Sequence, residues 1–166
     1  MAADAFDQAG VRPRDLTHIG VTLGPGSFTG LRVGLSFAKG LATGLGLNLQ
    51  GIGTLEALGH HPDLTGKSRT AVIDGGRGSI YIQSFGPNGQ GTPQSIKAGD
   101  DVHTDLLTGP GAHLIGDGTR IFDQPWPSLA TLNALTLAGG HDDLTPLYMR
   151  DADAIASTRG IISITA

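Results

Sequence analysis

Between Thr17 and Leu23 apolar residues alternate, with Ile19, Val21 and Leu23 on one side, and the pattern predicts a strand. From about Thr29 to Gly44 the period changes to that of a helix. Leu31, Leu35, Ala38, Ala42 and Leu45 recur at the spacing of a packing seam, Val33, Phe37 and Leu41 form a second apolar flank, and Arg32, Ser36, Lys39 and Thr43 fall in one narrow polar stripe. A helix with two apolar flanks needs two neighbours. A short strand around Leu47 to Ile52 and a short helix from Thr54 to Leu58 complete a strand, helix, strand order, the signature of a parallel sheet. Upstream, Met1 to Ala9 has helical character and stops at Gly10, followed by a turn at Arg12-Pro13-Arg14-Asp15.

The second half has a different rhythm. Thr70 to Asp74, the turn Gly75-Gly76-Arg77-Gly78, the strand Ser79 to Phe85, the turn Pro87-Asn88-Gly89 and a weaker strand around Pro93 to Lys97 predict an antiparallel meander. A polar helix from Asp101 to Leu107, a strand from Ala112 to Gly116, a helix from Leu129 to Ala138 and a tail carrying Pro146-Leu147-Tyr148 follow. The loop around His60 to Ser68 is the natural boundary between the two patterns.

Composition narrows the possibilities. The 166 residues are 39% apolar, enough for a real core, and carry a formal charge of −4 with Lys and Arg scattered singly. That distribution argues against direct capture of a nucleic-acid backbone by this chain. With no cysteine there is neither a disulfide framework nor a thiolate metal site, and no long apolar run or leader is visible, so a cytoplasmic protein without a membrane span is expected.

The stretch between the first strand and the long helix, Gly24 to Gly30, is rich in glycine. Such a turn is a ready phosphate cradle, because the first N–H groups of a helix lack partners. The specific templates fail. A Walker loop needs Gly-Lys-Ser/Thr where this chain has Thr29 and Gly30, a dinucleotide fingerprint needs glycine where it has Thr29, and a nucleophile elbow around Ser27 needs glycine where it has Pro25 and Thr29. The plain reading is that Ser27 or Thr29 caps the helix, worth about 1 kcal/mol. Within the helix, Gly30, Gly34, Ala38 and Ala42 align every four residues, as do Ser36, Gly40 and Gly44. The interior glycines at 34, 40 and 44 cost roughly 3 kcal/mol of helix propensity, and close approach of another helix is the compensation the pattern suggests. A large residue such as leucine at Gly34 is then expected to overpack the seam, in folding or in association.

The run Gly24-Pro25-Gly26-Ser27-Phe28-Thr29-Gly30-Leu31-Arg32-Val33-Gly34, with Lys39-Gly40-Leu41-Ala42 and Gly53-Thr54-Leu55 after it, closely resembles the TsaB family. Ile73-Asp74 with Arg77-Gly78 and Tyr81, and the closing Pro146-Leu147-Tyr148-Met149-Arg150, resemble that family's second hairpin and its Pro-x-Tyr-x-Arg ending. The resemblance covers most of the chain. It implies an α/β, actin-like ATPase architecture of RNase H-like lobes, here residues 1–60 and 68–150, with a C-terminal tail at 151–166. It also implies a scaffold role without catalysis of its own and without cofactor or metal. In that reading the chain pairs with a TsaD-like catalytic subunit, works with a TsaE-like ATPase, and meets tRNA only through the complex that adds threonylcarbamoyl to adenosine beside the anticodon. The interface residues implied are Gly30, Gly34, Phe37, Ala38, Leu41 and Ala42, and the family-motif loop is Gly24, Pro25, Gly26, Ser27, Phe28, Thr29 and Arg32.

One departure stands out. The family opens on a strand with an Asp-Thr pair and a hairpin, whereas Met1 already lies in what should be the first helix, so a first lobe lacking its N-terminal strands is expected. Its open edge could pair with a second copy as a homodimer. The rival reading is a glycoprotease-like metal-dependent enzyme. It needs histidines on one helix face, but His60 and His61 are adjacent and precede Pro62, while His18, His103, His113 and His141 are isolated. Asp74 is the best lone carboxylate for catalysis, although its place before Gly75-Gly76 suits a turn aspartate. Direct ATP binding is a third class, and the glycine loop lacks the lysine it would use.

Overall fold

The computed structural model describes residues 2–102, 104–115, 120–122 and 124–149. After helix α1 (Ala2–Ala9), strand β1 (Ile19–Gly24) runs into helix α2 (Phe28–Leu45), which returns to strand β2 (Leu49–Gly53). The two strands pair in parallel, Ile19 opposite Leu49 and Val21 opposite Gly51, as the strand, helix, strand rhythm predicts. Helix α2 lies on this sheet through Leu31, Leu35, Ala38 and Ala42, all buried, and it ends at Gly46, whose left-handed backbone (φ 66°) lets its N–H reach the carbonyls of Ala42 and Thr43.

Helix α4 (Leu129–Leu137) packs against both strands. Gly20 of β1 makes the approach possible: a Cβ there would stand 2.1 Å from the Thr136 hydroxyl oxygen, so any side chain would push the helix away.

Helix α3 (Thr54–Gly59) joins the two halves. Leu55, Ala57 and Leu58 are fully buried, and Leu55 and Leu58 form one core with Ala71, Tyr81 and Phe85 of the second sheet. That sheet contains β3 (Arg69–Gly76), β4 (Ser79–Gly86), β5 (Gly89–Gln90), β6 (Gln94–Lys97), β7 (Leu106–Thr108) and β8 (Arg120–Phe122). Strands β3, β4, β5 and β6 form the predicted antiparallel meander. The β3–β4 turn places Arg77 and Gly78 at φ 54° and 79°, as a two-residue hairpin turn of the primed kind requires.

Two expectations are corrected. Residues 101–107, expected to be a helix, end instead in β7, which is inserted in parallel between β3 and β8. A three-residue strand buried throughout shows no alternation, so periodicity is silent there. Ala112 to Gly116, expected as a strand, holds a single 3₁₀ turn at Ala112–Leu114, and Gly116 lies outside the described residues. Its cause is Gly109 and Gly111, which carry the chain so closely over β3 that a Cβ at either would stand under 3.0 Å from the backbone of Val72 or Asp74. The expected tail at 151–166 and Arg150 lie outside the described residues, as do Met1 and His103.

Candidate functional site: the exposed face of the glycine-rich helix

The motif loop is built around the end of β1. Gly24 adopts φ 106° and its bond to the fully buried Pro25 is cis. Leu147 of the closing segment donates its N–H to the Leu23 carbonyl at 2.8 Å, and its own carbonyl oxygen lies 2.8 Å from where a Cβ of Gly24 would be. Gly26 is exposed and turns the chain into the helix. Ser27, not Thr29, is the cap: its Oγ accepts the Gly30 N–H at 3.3 Å, and Thr29 is exposed in the first turn.

Phe28 and Arg32 then meet Tyr148. The guanidinium of Arg32 stacks 4.0 Å over the Phe28 ring, its Nε donates to the Tyr148 hydroxyl at 3.3 Å, and the two rings are 5.0 Å apart. This clamp ties residues far apart in sequence to the first turn of α2. The closing segment is fastened again at His141, which exchanges backbone hydrogen bonds with Gly51 and whose Nε2 lies 2.8 Å from Glu56 Oε2. Glu56 also accepts the Gly53 N–H at the start of α3. Further along, hydrogen bonds from Thr145 hold the Asp143 carboxyl below the usual carboxylate range.

Along α2 the implied interface residues do not share one surface. Gly30, Gly34, Phe37 and Leu41 lie exposed or half-buried, but Ala38 and Ala42 are 7% and 5% exposed and pack on Ile19 of β1. Helix geometry explains the split. Steps of four residues advance about 40° beyond a full turn, so a row beginning at Gly30 on the open side has rotated onto the sheet by Ala42. The face that remains open follows the other diagonal: Gly30, Val33, Gly34, Phe37 and Gly44, on the side of α2 away from the Arg32, Ser36, Lys39 and Thr43 stripe, while half-buried Leu41 beside it packs against the cluster of Ile19, Ala38 and Ala42. Val33 is 64% and Phe37 54% exposed, and a Cβ at Gly34, Gly40 or Gly44 would meet nothing within 4 Å. Val33 belongs to this face although the row of small residues leaves it out, and its place in the second apolar flank was the available signal.

The helix propensity given up at these glycines therefore has no offset within the described residues of the chain. Helix α1 is in the same position: it buries no residue, and eight residues alone make a marginal helix in water.

The features of the rival readings are spread through the molecule. His60 stacks edge-on against Phe85 and bonds the Glu56 carbonyl, His61 contacts Phe122 and accepts the Asp63 N–H, and His18 pairs with Thr17. Asp74 accepts the Gly76 N–H at 2.7 Å, as a turn aspartate does. Among the described residues no three His, Asp or Glu side chains gather as a metal site, and no helix is long and apolar enough to cross a membrane.

Residues 1–113 match the family model described as TsaD: tRNA N6-adenosine threonylcarbamoyltransferase. The chain belongs to this family. Within the TsaD family it is of the TsaB type. It is 27% identical over 161 residues to the tRNA threonylcarbamoyladenosine biosynthesis protein TsaB of Escherichia coli (strain K12), a match covering 89% of this chain and 68% of that protein. It is 39% identical over 72 residues to TsaB of Bacillus subtilis (strain 168), covering 42% of this chain and 30% of that one. A tRNA N6-adenosine threonylcarbamoyltransferase of Clostridioides difficile (strain 630) is 40% identical over 91 residues, covering 50% of this chain and 26% of the transferase. The matched stretches thus span about two thirds of the first relative and under a third of the other two. Among solved structures, YeaZ from Pseudomonas aeruginosa superimposes with a TM-score of 0.70 at 20% identity, over 89% of this chain and 81% of that one. The fold is accordingly the RNase H-like fold of actin-like ATPases.

Proposed function

We propose that the chain is a non-catalytic docking subunit in the synthesis of threonylcarbamoyladenosine in tRNA, and that it seats a TsaD-type transferase on the open face of α2. The observation that carries this reading is the pairing of two exposed apolar side chains, Val33 and Phe37, with glycines whose Cβ positions are empty. Exposure alone would not single out α2, because Trp126 and Leu129 near the start of α4 are more exposed still. The glycines make the difference. A second helix can approach the α2 backbone closely at Gly34 and Gly44, and burying Val33 and Phe37 there contributes about 1.5–3 kcal/mol per side chain. Helix α1, with no buried residue, supplies a second surface for the same partner.

The biological setting comes from the relatives, whose names place them in tRNA threonylcarbamoyladenosine biosynthesis. In this setting a TsaE-type ATPase joins the pair, the complex works in the cytoplasm, and tRNA is held by the partners, since this chain carries a formal charge of −4. Reconstitution tests the proposal. Threonylcarbamoyladenosine formed on unmodified tRNA by the matching TsaD-type and TsaE-type proteins is expected to depend on adding this chain. Full synthesis without it, or synthesis by this chain alone, contradicts the docking role.

A further inference from the structure

Helix α4 buries its threonines and exposes two of its leucines. Thr131 and Thr136 are 3% and 7% exposed, and Thr136 faces Gly20 of β1, whereas Leu129 and Leu137 are 83% and 56% exposed. The threonines tolerate burial because each hydroxyl is satisfied locally: Thr131 Oγ1 lies 2.8 Å from Ser128 Oγ, and Thr136 Oγ1 donates to the Leu132 carbonyl at 2.8 Å. Nothing among the described residues accounts in the same way for the two leucines in water.

The open side of α4 has an ordered composition. At about 100° per residue, Leu129, Asn133 and Leu137 run along it with Ala130, Ala134 and Ala138 beside them, and all six are exposed. The chain carries no charged residue from Gln124 to Gly140, where a helix facing water alone would carry several. The face also matches itself. Laid antiparallel on a second copy about a two-fold axis between residues 133 and 134, Leu129 meets Ala138 of the other copy, Leu137 meets its Ala130, and each contact occurs twice. Large side chains then fill the space left by small ones, as close helix packing requires. Asn133, with no side-chain hydrogen bond among the described residues, stands next to the axis, where its amide, both donor and acceptor, can pair with its counterpart. Two chains of formal charge −4 repel one another, and this face brings them together without placing like charges in contact.

We infer that α4 is the contact of a weak, two-fold symmetric dimer, in which a second copy of this chain covers Leu129 and Leu137. The nine-residue helix is about 14 Å long. A contact of that length buries less than the roughly 1,200 Å² at which standard specific interfaces begin, so monomer and dimer exchange with a Kd of about 0.1 mM. The arrangement leaves the docking face free. Ile19 packs on α2 and Gly20 on α4, and successive strand residues point to opposite faces, so the two helices lie on opposite sides of the first sheet.

Analytical sedimentation of the full chain from about 10 µM to 1 mM tests the inference. The weight-average mass is expected to rise from monomer towards dimer across this range. Leu129→Glu and Leu137→Glu each put a charge into an apolar contact and are expected to weaken association about tenfold or more, with Tm unchanged because both side chains are exposed in the single chain. If one variant fails to fold, the other decides. A monomer throughout the range overturns the inference. So does a dimer that both variants leave intact, or one that Phe37→Glu breaks, since these place the contact on another surface such as the open edge of β1 or α2.

Discussion

At the scale of single residues, the motif loop works through close contacts made with distant parts of the chain. Gly24 joins a positive φ to a position where the Leu147 carbonyl occupies the space of a side chain. Gly24→Ala is therefore expected to destabilise the chain by about 1–3 kcal/mol, lowering Tm by several degrees in thermal denaturation. An unchanged Tm would mean that the closing segment does not seat on β1 as described. The sequence shows that glycine, and not alanine, stands at position 24, but not which carbonyl excludes the side chain, because Leu147 is more than a hundred residues away. The stacking of Arg32 on Phe28 and its bond to Tyr148 are hidden for the same reason. Ser27 is different: a cap is a contact three residues long, so local spacing narrows it to Ser27 or Thr29, and the structure decides for Ser27.

At the scale of elements, legibility follows the length of the pattern. Helix α2 repeats its seam through Leu31, Leu35, Ala38 and Ala42, and all four are buried. Strand β7 offers three residues buried on both faces, and nothing periodic marks it. The row of small residues on α2 misleads in a specific way, since identical four-residue spacing suggests one surface while the helical drift carries Ala38 and Ala42 into the core. The open glycines allow a test on the isolated chain. Gly40→Ala is expected to raise stability by about 0.5–1 kcal/mol, and Tm by about 2–4 °C, since nothing lies within 4 Å of the new methyl group. For the same reason Gly34→Leu is expected to fold at least as stably as wild type, which removes the folding cost expected from sequence and leaves only a cost in association. A fall in Tm for either variant would show a close neighbour on this face within the chain itself.

At the scale of the whole molecule, α3 packs against both sheets, and the closing segment fastens to the first sheet at Gly51 and Leu23 and to α2 at Arg32. One side of α2 rests on that sheet and the other is open, so the molecule presents a finished interior beside an unfinished helix face. The two apolar flanks were readable from sequence. Which flank the chain covers for itself was not, because both have helical spacing and only the sheet's position separates them.

The most direct test is calorimetric titration of the matching TsaD-type transferase with this chain and with Phe37→Glu, whose new charge replaces a ring 54% exposed in the isolated chain. The account predicts a one-to-one complex with wild type, and for Phe37→Glu an unchanged Tm with affinity lowered about a hundredfold or more, as expected for a charge left unpaired in an apolar contact. Equal affinity for the two chains would contradict it and place the docking surface elsewhere.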